Sequence, residues 1–189
     1  MLQNINKWDM DVLLSLNGYL ARHNTILSKV FAEYLIYGLP IFLIVFWFTS
    51  VAAKKVVLRI LFCVVLAWPI ISGIVGKLLP RDRPFESGGV QELIFHRPTY
   101  SFPSDHAAAL FAVTFSLFFS GYKKMGYIFL VLSVIVVFFR VGTGIHWPTD
   151  IIAGAVIGLI AAWCVKMLDK YLDRIYELII KFFKILHLA

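Results

Sequence analysis

Residues 34–53 read YLIYGLPIFLIVFWFTSVAA, twenty positions without a charged side chain. At about 1.5 Å per residue a helix of that length spans about 30 Å, the thickness of a bilayer's hydrocarbon core. Further apolar runs follow at Ile60–Gly76, Ala107–Tyr122, Met125–Phe139 and Ile151–Val165. The last three are short and borrow polar residues at their ends. The pattern predicts an all-α fold, a multi-pass membrane helical bundle of about five transmembrane helices, built as one domain over residues 1–189. Composition agrees: 60% of the 189 residues are apolar and only 15% charged, with 17 Phe and five Trp. No single soluble core of this length could bury so much apolar surface. A soluble globular domain, a disordered chain and a nucleic-acid module are thereby excluded. The net charge of +7 is ascribed to basic loops beside a membrane. Cys63 and Cys164 both lie in apolar runs and offer neither a disulfide framework nor metal spacing.

The flanks of the bundle differ from its spans. Residues 5–21 mix apolar and polar positions, have no cleavable signal pattern, and put Trp8, Val12, Leu13, Leu16 and Tyr19 on one helical face. An interfacial helix is expected there. From Lys166 to His187, Leu172, Ile175, Ile179, Phe182 and Leu186 recur at spacings of three and four, with Lys170, Asp173, Arg174, Glu177, Lys181 and Lys184 on the other face. That segment reads as an interfacial helix or an extension of the fifth span. With five spans, Lys54, Lys55 and Arg59, the Lys123-Lys124 pair and the basic tail share one side. They hold ten of the 18 Lys and Arg residues. The positive-inside rule makes that side cytoplasmic, so loops 77–104 and 140–150 face outward together.

These two loops carry the unusual polar residues. The first opens with Lys77, Arg81, Asp82, Arg83 and Pro84 and closes with Pro103, Ser104, Asp105 and His106; the second runs from Arg140 through His146 and Pro148 to Asp150. Polar groups at membrane depth are costly, and their convergence marks a functional site. Lys77, Arg83 and Arg140 offer charge and fork-shaped donors that suit phosphate oxygens. Ser104 is placed to cap a helix, leaving the amides of Asp105 and His106 at an anion-binding helix start. Pro148 suits a first helical position, which puts Asp150 in the first turn and near the ring of His146. A His oriented by a carboxylate is a competent nucleophile toward phosphorus, and His106 can protonate a leaving oxygen. There is no Walker loop and no His-Glu-x-x-His pair.

On these residues the chain resembles the type-2 phosphatidic acid phosphatase superfamily of membrane lipid phosphatases. Its motifs are Lys-x6-Arg-Pro, Pro-Ser-Gly-His and Ser-Arg-x5-His-x3-Asp. Lys77 with Arg83-Pro84, Pro103-Ser104 with His106, and Arg140 with His146 and Asp150 match them within residues 77–150. Three departures are visible. The Lys-to-Arg gap is one residue short, so either Lys77 or Arg81 fills the first cation position. Asp105 stands in the phosphate-binding stretch in place of Gly, where it is expected to point away or to pair with a cation. Phe139 replaces the Ser before Arg140. The Pro-Ser-Asp-His form and the small size are similar to bacterial undecaprenyl-diphosphatases linked with bacitracin resistance.

The resemblance implies a phosphatase that uses no metal and no cofactor. Its nucleophile would be His146, oriented by Asp150, with a phosphohistidine intermediate. Lys77, Arg83, Arg140, Ser104 and the first-turn amides would hold the phosphoryl oxygens, and His106 would serve the leaving group. It also implies a lipid phosphate or diphosphate as substrate, undecaprenyl diphosphate first, with phosphatidylglycerophosphate or phosphatidic acid as alternatives. The location it implies is the bacterial cell membrane, with an extracytoplasmic site among membrane lipids. A membrane transporter is the competing class, and it would want charged residues near mid-membrane. Glu92, His96, Arg97 and Tyr100 read as residues that shape or cover the site.

Overall fold

The computed structural model describes residues 7–23, 25–97 and 99–186. Residues 5 and 6 of the expected N-terminal helix, and His187, lie outside the described residues. Among the described residues the chain is helical, without strands. Helix α1 covers Lys7–His23, α2 Ile26–Trp47, α3 Val51–Leu78, α4 Asp105–Phe119, α5 Lys123–Gly142, α6 Pro148–Met167 and α7 Asp169–Ile185. Four of these (α2, α3, α5 and α6) are long and apolar enough to cross a membrane, while α4 has only 15 residues.

The run 34–53 is not one helix. α2 begins eight residues earlier, at Ile26, and ends at Trp47, while α3 starts at Val51. Between them the Thr49 hydroxyl donates to the Phe46 carbonyl at 2.8 Å, and Ser50 Oγ accepts the Ala53 amide at 3.0 Å as the N-cap of α3. Hydropathy misses this break because the chain stays uncharged across it; only the capping residues mark it. Lys54, Lys55 and Arg59, expected in or beside a connection, consequently occupy the first turns of α3. Within α3, Pro69 sits in a wide π turn over Leu66–Ser72, which accommodates the ring and the missing amide.

α4 lies at the centre, packed along α6, α5 and α3. It buries Ala107, Ala108, Ala112, Val113 and Leu117 completely. A helix wrapped by protein need not match the bilayer thickness, so its short length is no obstacle. The α4–α6 contact depends on small residues. A Cβ on Gly154 would lie 2.5 Å from the Ser104 carbonyl, and one on Gly158 would lie 2.7 Å from that of Ala108. Two glycines four apart thus let the helices approach to backbone contact, bringing the starts of α4 and α6 side by side.

Both terminal helices pack against the bundle. α1 buries Asp9, Leu13, Asn17 and Leu20, a face turned slightly from the one expected, while Trp8 and Tyr19 are exposed. α7 is a separate helix after a break at Leu168, not a continuation of α6. It buries Tyr176 and Ile180 against Leu58 and Phe62 of α3. Lys55 pairs with Asp173 and Glu177, and Arg59 with Asp169. Ile175, Phe182 and Leu186 of its expected apolar face remain exposed.

Candidate active site

The starts of α4 and α6 meet the end of α5 and the loop after α3 around a cavity of about 320 Å³. Lys77, Arg83, Asp105, His106, Arg140 and His146 line it, together with Ser72, His96 and Tyr100. The loop is pinned from two sides. Asn17 donates to the carbonyls of Gln91 and Gly142 and accepts the Gln91 amide. Gly144, at φ +81°, passes so close that a Cβ would lie 2.7 Å from the Gln91 carbonyl.

His146 is 3% exposed. Its Nδ1 lies 3.0 Å from the Ser101 carbonyl, which can only accept, so the proton is on Nδ1 and Nε2 is the unprotonated nitrogen. Arg140 Nη2 stands 3.5 Å from Nε2. Burial, followed by the nearby charges of Arg140 and Arg83, pushes the ring well below the usual histidine range, so it is neutral. The contact expected with Asp150 is longer, at 3.6 Å. The reason is that both Asp150 oxygens are engaged elsewhere: Oδ2 accepts the Trp147 amide at 2.9 Å, and Oδ1 accepts from Arg81 at 2.8 Å.

The two basic residues left open by the short first motif have separate partners. Arg81 turns from the cavity and bridges Asp150 and Asp9, the latter at 2.7 Å. Asp9 also accepts the Thr149 amide and hydroxyl, and the Arg81 guanidinium lies over the Trp147 ring. Lys77, by contrast, is exposed at the cavity wall and makes no hydrogen bond or ion pair with another described residue. Arg83 donates to the carbonyls of Ile145 and Tyr100 and to Thr99, and Arg140 donates to the Ala32 carbonyl. Each of these two arginines keeps a buried Nε–H with no partner. Burial lowers the Arg83 pKa from its ordinary value.

Ser104 is the N-cap of α4, its hydroxyl accepting the Ala107 amide at 3.4 Å. That hydroxyl is buried beneath the helix start and is not part of the cavity wall. Asp105 lines the cavity, so it does not point away, and it forms no ion pair with another described residue; the Trp68 indole stands near it. His106 faces the same space, with no hydrogen bond to another described residue. Phe139 packs on Phe31, away from these groups. His96, read as a covering residue, has its ring centroid 6.5 Å from that of His146. Burial lowers its pKa too. Among the described residues no three His, Cys, Asp or Glu side chains converge on a metal position. Sequence reasoning missed Asp9, Ser101 and Ser72. Asp9 and Asn17 left a faint signal, as polar residues at the helical spacing of Leu13 and Leu20; Ser101 acts through its backbone and left none.

Residues 56–173 match the model of the PAP2 superfamily. The bacitracin transport permease protein BcrC of Bacillus licheniformis is 33% identical over 78% of this chain and 73% of its own. The undecaprenyl-diphosphatase BcrC of Bacillus subtilis is 26% identical over 90% of this chain and 92% of its own. The crystal structure of Aquifex aeolicus LpxE superposes with a TM-score of 0.67 at 24% identity, covering 87% of this chain and 98% of that one, and shares the fold.

Proposed function

The chain belongs to the PAP2 superfamily and is a membrane phosphoric ester hydrolase, and on that premise we propose that it hydrolyses undecaprenyl diphosphate to undecaprenyl phosphate. The observation that carries the reading is a neutral His146 with an unprotonated Nε2, set beside two buried guanidinium groups that each have an unmet Nε–H. Those donors fit the oxygens of a phosphoryl group, and phosphoryl transfer chiefly requires positioning and cationic stabilisation. The similarity to an undecaprenyl-diphosphatase over 90% of this chain supports the choice of lipid.

In this reading the terminal phosphoryl group is held by Lys77, Arg83, Arg140 and the amides of Asp105 and His106, with Ser104 fixing that helix start. Nε2 of His146 attacks phosphorus as the bridging P–O bond breaks. The negative charge of the bound diphosphate brings a proton onto His106, which gives it to the departing lipid phosphate. Water then attacks the phosphohistidine, His106 takes its proton, and the P–N bond breaks to release inorganic phosphate. The Ser101 carbonyl and the Asp150 charge stabilise the cationic ring at phosphorus. Asp105 contributes its backbone amide to the phosphoryl oxygens and not its carboxylate. The cluster faces the extracytoplasmic side of a bacterial cell membrane, opposite the Lys55, Arg59 and Lys166 end. A transport function finds no support, since the charged side chains of the spans gather at helix ends rather than at mid-membrane.

Release of inorganic phosphate from undecaprenyl diphosphate and from phosphatidylglycerophosphate by the purified protein in one detergent tests the reading. The diphosphate is expected to be the faster substrate, and a chelator to leave the rate unchanged. His146→Ala is expected to lower it by about 10⁴-fold or more. Preference for phosphatidylglycerophosphate, or retained turnover in His146→Ala, would contradict it.

A further inference from the structure

One cavity group has no place in the chemistry above. Ser72 lies on the membrane-spanning helix α3, is 2% exposed, and has an Oγ with no hydrogen-bond partner. Helical hydroxyls ordinarily bond back to a carbonyl one turn earlier. Thr114, Ser120 and Ser133 do so here, to Leu110, Ser116 and Phe129, whereas Ser116, which does not line the cavity, also has an Oγ without a partner. At Ser72 the π turn redirects the backbone: the Trp68 carbonyl, four residues back, takes the Gly73 amide instead. The hydroxyl is left over, and it belongs to the cavity wall with Gly73, Gly76 and Lys77. Beside it is space, since a Cβ on Gly73 would meet only the Trp68 carbonyl, at 4.0 Å.

Position along α3 indicates what that space receives. Lys77 is five residues nearer the helix end, so Ser72 lies deeper by about 7 Å. Its neighbours Ile70 and Ile74 are 45% and 55% exposed on the outer surface of the bundle. The Ser72 end is therefore the membrane side of the cavity, and the Arg83, Arg140 and His146 end is the phosphoryl side. A buried hydroxyl without a partner is costly, and an anionic oxygen entering the cavity would satisfy it.

We propose that Ser72, with the open space over Gly73, is the subsite for the phosphate that remains on the lipid, and that it favours lipid diphosphates over lipid monophosphates. The inference rests on the diphosphatase reading. With a diphosphate, the transferred group sits at His146 and the retained phosphate reaches the Ser72 hydroxyl. With a monophosphate, the first methylene carbons of the lipid occupy that position and the hydroxyl stays unpaired.

The test compares farnesyl diphosphate with farnesyl phosphate in detergent, by phosphate release from wild type and Ser72→Ala. The ratio of kcat/KM for the diphosphate to that for the monophosphate is expected to fall about tenfold in the variant, the loss of one hydrogen bond to a charged group. An unchanged ratio in an enzyme that hydrolyses the diphosphate overturns the subsite and leaves the diphosphatase reading standing. A wild type that cleaves only the monophosphate overturns both. Should Ser72→Ala fail to fold, Ser72→Cys carries the same test, because a thiol of similar size is a much weaker hydrogen-bond donor. A fall in the ratio is again expected, and an unchanged ratio overturns the subsite.

Discussion

His146 is oriented by the backbone carbonyl of Ser101, and Asp150 acts on it from 3.6 Å as a charge behind a hydrogen-bonded frame. This fixes the tautomer without committing the ring to a carboxylate. Charging the ring would add a cation beside Arg140 and Arg83 at a buried position, so the folded protein resists its protonation. In the free protein, the His146 ring carbons followed by NMR are expected to titrate with a midpoint below pH 6.5. A midpoint above that value would show that a bound anion or the Asp150 charge dominates. The effect on stability has the matching sign. The unfolded ring takes up a proton near pH 6.5 while the folded ring does not, so this histidine's contribution is present above that pH and is lost as the pH falls. The residue types at positions 77–150 were legible because phosphate chemistry demands them at set spacings. The true hydrogen-bond partner of His146 was not, because a backbone carbonyl leaves no mark in the pattern of side chains.

Among the helices, α1 is the one whose role was least visible. Its apolar positions fit an interfacial helix, yet the residues it buries include Asp9 and Asn17. Asp9 holds Arg81 and the first turn of α6, and Asn17 holds the loop over the cavity. The same pairing turns Arg81 from the cavity and leaves Lys77 at its wall. Sequence spacing left them equivalent, whereas the carboxylate that occupies Arg81 lies 72 positions earlier in the chain. Asp9→Ala leaves a buried Arg81 with one carboxylate in place of two. Breaking such a pair typically costs about 3–5 kcal/mol. The variant is expected to melt at lower temperature in detergent and to lose turnover in parallel, because the Arg81 that anchors Asp150 loses its own second support. An unchanged melting temperature would show that α1 is only laid against the bundle. The break at Thr49–Ser50 belongs to this scale as well: the apolar character of 34–53 was right and its continuity was not, since two capping hydroxyls outrank an unbroken hydropathy signal.

Over the whole molecule, the charges divide between two ends. One end gathers Lys55, Arg59, Lys166 and the acidic residues of α7, and the other gathers the cavity. The helical bundle was legible from apolar runs alone. The close α4–α6 approach that joins the two motif loops depends on Gly154 and Gly158, which hydropathy does not weigh. With the site outward, a membrane-impermeant thiol reagent on intact cells is expected to label Gly88→Cys and not Lys123→Cys, each in a Cys63→Ala, Cys164→Ala background. The reverse pattern would turn the enzyme over in the membrane. The central claim is that the phosphoryl group passes through His146 before it reaches water. The stereochemical course at phosphorus tests this most directly, using a lipid thiodiphosphate made chiral at its terminal phosphorus with oxygen isotopes. Each in-line displacement inverts that centre, so transfer to His146 and then to water predicts inorganic thiophosphate of retained configuration; inversion would mean that water attacks directly, and would contradict the account.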